Sequence, residues 1–204
     1  MSDFYRTLTA PCGPYEMRER SSRFIAYGTP ATTLEEVDAF IDSLRRQFHD
    51  ATHIGWACRL GEGEEQISRS HDGGEPSGTA GIPIHREIVH ADLFNVTCAV
   101  VRYFGGIKLG TGGLARAFGG AARGLLSHAP IRTVPITNIV RMQVPFESMG
   151  MVMHLIEHYP YTAVVSREYT EHDLHLAVAV PRSQVTAFQR DLIDKSRGRI
   201  IIIC

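Results

Sequence analysis

Apolar residues recur along this chain with two different periods, and the switches between them predict its elements. Leu34, Val37, Phe40, Ile41, Leu44 and Phe48 fall at helical spacing. Thr33-Leu34-Glu35-Glu36 at the head of that stripe is a capping box, so one amphipathic helix is expected to run to about residue 48. Arg23 to Tyr27 and Thr52 to Leu60 read as strands, and a Gly61-Glu62-Gly63 turn leads into a short one at Gln66 to Arg69. Thr79 to Ala91 reads as a helix. Val96 to Tyr103 is a mostly apolar run rich in β-branched residues, as a central strand should be. Leu114, Ala117, Phe118, Ala121 and Leu125 then predict a helix from Gly112 to about Ser127. Its internal glycines weaken it by about 1 kcal/mol each relative to alanine, so something close-packed should lie against it. Residues 1 to 20 mix Pro11, Gly13 and Pro14 with charge and are expected to be a loosely structured lead-in.

The pattern breaks at Ala129-Pro130 through Pro135, which reads as a linker and a domain boundary. Beyond it, Val140, Met142 and Val144 alternate as a strand, and Met149, Val152, Met153 and Ile156 mark a helix. Strands follow at Ala163 to Tyr169 and Leu174 to Val180, then a helix through Val185, Phe188 and Leu192, then a strand at Ile200 to Ile203. The order β-α-β-β-α-β is the split-βαβ, ferredoxin-like signature. The class is therefore α+β, with one domain over 1–132 and a ferredoxin-like domain over 136–204.

With 204 residues, 44% hydrophobic and 21% charged, the chain reads as an ordinary soluble globular protein and not as a histone-like binder, an acidic tail or a fibre. Cys12, Cys58, Cys98 and Cys204 stand far apart, and no apolar run follows a basic start, so a cytoplasmic location is expected. No stretch approaches the roughly 20 apolar residues of a membrane span, and no membrane partner is expected. The net charge of -1 hides an asymmetry. The 54 residues between Asp92 and Glu147 hold no acid and carry Arg102, Lys108, Arg116, Arg123, Arg132 and Arg141, a local +6 against -7 elsewhere. A neutral protein with one positive segment suggests a local anion site. Of the 21 basic residues 19 are Arg, which suits phosphate forks and base stacking, although a general preference for Arg explains the count equally well.

The densest candidate chemistry is Arg102-Tyr103-Phe104-Gly105-Gly106-Ile107-Lys108-Leu109-Gly110-Thr111-Gly112-Gly113-Leu114. A strand feeding a side-chain-poor loop into a helix start aims free amides and the positive dipole end at one point, where an anion fits. Lys108 and Arg116 add charge, and Tyr103 or Phe104 offers a stacking face. The loop is neither a P-loop, because Thr111-Gly112 stands where Lys-Ser/Thr is needed, nor a Rossmann fingerprint, because Ala115 replaces the third glycine. Its glycines serve equally to permit tight turns. A second candidate is Ser70 through Gly81 with His53: Asp72 and Glu75 as paired carboxylates, Ser77 or Thr79 as a helix cap. Capping and turn chemistry is the simpler account of that segment. None of the ten histidines joins a cysteine pair or an H-E-x-x-H motif, so no metal, cofactor or catalytic residue is assigned.

The chain resembles the IMPACT family, in its YigZ-like bacterial group, over nearly its whole length. The resemblance rests on Ser22-Arg23-Phe24, on Ala51-Thr52-His53 with Trp56-Ala57, on Asp72 with Gly74-Glu75-Pro76-Ser77-Gly78-Thr79-Ala80-Gly81-Ile82-Pro83, and above all on Val100 to Gly106 with Leu109 to Leu114. It implies an N-terminal domain of the ribosomal protein S5 second-domain type and a C-terminal domain similar to the last domain of elongation factor G. Two positions depart from the family pattern: Gly73 stands where Asp-Asp-Gly-Glu-Pro has its second Asp, and Gly55 where Cys is frequent. Eukaryotic relatives regulate translation by competing for a ribosome-associated activator of an initiation-factor kinase. The expected function is a non-enzymatic nucleic-acid- or ribosome-binding factor in translation regulation, with RNA or the ribosome as the expected partner. The alternatives are a small-molecule enzyme of phosphorylated substrates and an adaptor that binds a protein through the C-terminal domain.

Overall fold

The computed structural model describes residues 3–61 and 66–203, so most of the turn expected at 61–63 lies outside the described residues. The chain divides into two compact units, Tyr5–Val134 and Pro135–Cys204, the latter including Met1–Phe4.

The first unit is built on a five-stranded antiparallel sheet. Its strands are β2 (Cys12–Glu19), β3 (Ser22–Pro30), β4 (His53–Leu60), β5 (Ile67–His71) and β6 (Val96–Tyr103), in the order β2-β3-β6-β4-β5. Helices α1 (Leu34–Gln47), α2 (Gly81–His90) and α3 (Gly110–Leu126) complete it. The capping box forms as expected: Glu36 N–H donates to Thr33 Oγ1 at 3.3 Å, and the Glu36 carboxylate accepts from Thr33 N–H at 3.3 Å.

Central strand β6 explains its own near-continuous apolar run. Val96, Cys98 and Val100 pack in one cluster with Ile84 and Ile88 of α2 and Phe118 and Ala121 of α3. Ala99 belongs to another, with Val37, Ile41 and Leu44 of α1. Both faces of the sheet are covered, so apolar residues follow one another with only Thr97 and Arg102 as buried polar positions.

The partner expected against the glycines of α3 is β2. A methyl group on Gly124 would stand 2.2 Å from the Tyr15 ring, and one on Gly120 3.5 Å from Met17 Sδ. The described part of the expected lead-in, residues 3–20, is therefore not loose: it forms β1 (Phe4–Leu8) and edge strand β2. Edge strands tolerate proline and charge, which is why β2 carries no strand signature. Most of the linker expected at 129–135 is likewise a strand, β7 (Ile131–Pro135), paired with β1.

The second unit holds β8 (Thr137–Pro145), α4 (Met149–His158), β9 (Ala163–Tyr169), β10 (Asp173–Pro181), α5 (Val185–Ser196) and β11 (Ile201–Ile203). Its sheet order is β11-β8-β10-β9, antiparallel throughout. Val140, Met142 and Val144 of β8 pack with Leu174, Leu176 and Val178 of β10 against Val152 and Leu155 of α4 and Phe188 and Leu192 of α5.

Candidate functional site

Pairing of β4 with β6 sets His53 directly opposite Arg102. The loop between β5 and α2 lays Glu75 across both. Glu75 Oε1 accepts from Arg102 Nη1 at 2.6 Å and lies 2.8 Å from His53 Nδ1. The Glu75 side chain is 2% exposed and that of Arg102 6%, so this is a buried charge pair. A carboxylate facing a guanidinium only accepts, so His53 Nδ1–H donates and its Nε2 is the ring nitrogen left for other partners.

Glycines make room for this arrangement. Gly74 has φ +97°, and a methyl group there would stand 2.7 Å from His53 Cδ2 and 3.2 Å from its Nε2. Gly73 has φ +63°, and its Cβ would meet Ile54 O at 1.9 Å, which accounts for glycine at this departure from the family pattern. At Gly55 a Cβ would sit 2.6 Å from that of Ala80.

Asp72, expected as one of two paired carboxylates, serves the backbone instead. Its Oδ2 accepts from Gly78 N–H at 2.8 Å and its Oδ1 from Ala80 and Gly81 N–H, both at 2.9 Å. It thereby caps α2, a role expected of Ser77 or Thr79. Thr79 Oγ1 donates to Pro76 O at 2.6 Å, and Ser77 is exposed. Burial alone would raise the Asp72 pKa, but the three amides outweigh it and hold it below the usual 3.8. A depressed carboxylate contributes stability that is fully present above the unfolded-state value and lost as pH falls through the folded one. Asp72→Ala is therefore expected to cost about 1–2 kcal/mol near neutral pH. The gap to the parent should close in acid below about pH 4, as read by urea denaturation across pH.

Past β6, Phe104 N–H donates to Thr52 Oγ1 at 3.0 Å and Gly105 N–H to Ser22 Oγ at 3.2 Å. A Cβ at Gly105 would stand 2.1 Å from Ser21, so this glycine serves close backbone approach and its amide is spent. Gly106 and Gly110 take positive φ with open space around them. Leu109 precedes α3 without a side-chain cap, so the amides of Gly110, Thr111 and Gly112 have no such partner. Tyr103 does not join this loop's chemistry: its hydroxyl donates to Asp50 at 2.8 Å.

A cavity of about 450 Å³ brings the two candidate segments together. His53, Glu75 and Arg102 line it with Phe104, Lys108 and the start of α3. Arg116 lies elsewhere, in a groove of about 490 Å³ between α2 and α3 with Arg86, His90 and Arg123. Pro83, Ala115, Gly119 and Gly120 form its low-relief lining. Arg123 forks onto Glu87, with Nε and Nη2 each 2.9 Å from a carboxylate oxygen, and that hydrogen-bonded guanidinium depresses the Glu87 pKa. Arg6 lines an adjoining depression that shares Glu87, His90 and Arg123. Neither Arg6 nor Arg86 is marked by the sequence: the packing of α2 on α3 places Arg86, and the bridge of Arg6 to Leu93 with its bond to Ala91 O places Arg6.

A family model described as the Impact N-terminal domain matches residues 20–126, more than half of the chain. The chain belongs to the IMPACT family. An IMPACT family member in the pol 5'region of Thermus thermophilus is 37% identical over 180 residues, 88% of this chain and 96% of the relative. The IMPACT family member YigZ of Escherichia coli (strain K12) is 32% identical over 198 residues, 95% of each. A solved structure described as the crystal structure of an hypothetical protein is similar across 100% of this chain and 98% of its own, with a TM-score of 0.75 at 28% identity. This IMPACT-family chain has no helix among the described residues that is long and apolar enough to cross a membrane.

Proposed function

We propose that this IMPACT-family protein is a non-enzymatic factor of translation regulation that binds RNA, free or in the ribosome, along α3 of its first unit. One observation supports this most: exposed cations from two helices gather on one groove lined largely by small residues. Arg86 and Arg116 stand there, with Arg6 in the adjoining depression and Lys108 at the start of the same helix as Arg116. Glu87, the acid in the groove, is already spent on Arg123. Helical spacing puts Thr111, Ala115 and Gly119 on one face, so the tract from Gly110 to Arg123 runs about 20 Å. The translation side of the reading rests on family membership. The domain types belong to the same proposal: S5-like for the first unit, and ferredoxin-like for the second, whose β-α-β-β-α-β order and antiparallel sheet support it.

Binding to single-stranded RNA should fall steeply with salt, with a log–log slope near about -3 for four phosphate contacts. Lys108→Ala with Arg116→Ala should lower that slope by about 1.4. Fluorescence anisotropy between 50 and 200 mM salt, repeated with purified ribosomes, reads both; salt-insensitive or absent binding overturns the proposal. A second reading, an enzyme of phosphorylated small molecules, draws on the cavity over the His53–Glu75 pair, and its signature is turnover of a phosphate ester.

A further inference from the structure

The cavity above His53 has walls unlike those of the groove that carries the RNA reading. Pro76, Leu109 and Leu114 give it apolar sides. Phe104 lines it while remaining 46% exposed, with its own amide tied to Thr52, so the ring is presented and not trailing.

Its polar groups are incompletely used. Arg102 Nε is buried with no hydrogen-bond partner, although the rest of that guanidinium reaches Glu75 and Ser22. A buried donor without an acceptor is unfavourable, and it leaves the Arg102 guanidinium with donor capacity beyond its contacts to Glu75 and Ser22. His53 lines the same cavity, and with Nδ1 on Glu75 its Nε2 is the ring nitrogen left to a ligand. The first turn of α3 and Lys108 add a place for negative charge.

We propose, resting on the RNA reading above, that this cavity takes one nucleotide. Its base lies against Phe104 with its polar edge toward His53 and Arg102, and its phosphate lies on the first turn of α3 beside Lys108. The volume falls within the roughly 300–1,000 Å³ of small-molecule sites. A sugar phosphate offers no flat face to Phe104, and an acyl chain offers no donor and acceptor to the floor. A nucleotide has the face, the edge and the anion together. In a strand it is a splayed-out base whose neighbouring phosphates follow the α2–α3 groove; as a free mononucleotide it presents the same chemistry.

The test is calorimetric titration with AMP, CMP, GMP and UMP, with adenosine and inorganic phosphate as part-ligands, and separately with a short single-stranded RNA. Mononucleotides should bind at least about tenfold more tightly than either part-ligand. Phe104→Ala should weaken nucleotide binding about tenfold, with the thermal midpoint unchanged because the ring is half exposed. For a nucleotide within a strand, Phe104→Ala should weaken RNA binding and leave the salt slope as it was. Mononucleotide binding without RNA binding supports the cavity proposal and overturns the RNA reading. RNA binding with a steep salt slope, but with Phe104→Ala equal to the parent for every ligand, overturns the cavity proposal and leaves the RNA reading standing. Binding of inorganic phosphate as tight as that of the nucleotides, or of nothing at all, overturns it as well.

Discussion

Phe118→Ala is expected to destabilise the first unit by about 3–5 kcal/mol, measured by urea denaturation. Phe118 is fully buried and meets the Phe24 ring edge-on, with centroids 5.2 Å apart. It also belongs to the cluster that joins α2, α3 and β6. Losing the ring removes its transfer free energy and opens a cavity that the surroundings cannot close, because Gly55 and Ala80 beside it are already in tight contact. Phe118→Leu, which keeps much of the volume, should lose far less. Equal losses in the two variants would mean that the site collapses freely and that the cluster is not close-packed.

Features governed by neighbours in sequence were legible before the fold was known. The capping box at Thr33 depends on four consecutive residues, and the β-α-β-β-α-β order of the second unit follows from periodicity within each element. Strands β1, β2 and β7 were not legible: β1 and β7 are defined by pairing with each other across the chain, β2 is a charged, proline-bearing edge strand beside β3, and none has a sheet face that alternates cleanly. The site shows the same division. Its glycine loop and its Asp72 to Gly81 segment stood out separately, as two candidates. Their convergence depends on β4 pairing with β6, which no local pattern encodes. Local charge counting also misled: Arg102 and Arg123 look like free cations in an acid-free stretch. Each is paired with a glutamate, Glu75 at 27 and Glu87 at 36 residues' separation.

Arg102→Met is expected to cost about 3–5 kcal/mol, because it strands Glu75, which folding has already taken out of water. Glu75→Gln should cost a comparable amount by leaving the guanidinium without its counter-charge. The pair as a whole is another matter, since burying two charges costs about as much as their attraction returns. The double variant Arg102→Met/Glu75→Gln should therefore be much less destabilised than the sum of the singles, with a coupling of about 2 kcal/mol or more in a double-mutant cycle. Additivity within about 0.5 kcal/mol would show that the two side chains act independently, despite their 2.6 Å separation. A large coupling together with a weak net effect would mean that the pair is kept for what it positions. It orients His53 through Nδ1 and stacks its guanidinium 5.4 Å from the Phe104 ring, so two walls of the cavity hang from one ion pair. Ligand affinity should then fall in the double variant even where stability recovers, which separates a role in the site from a role in the core.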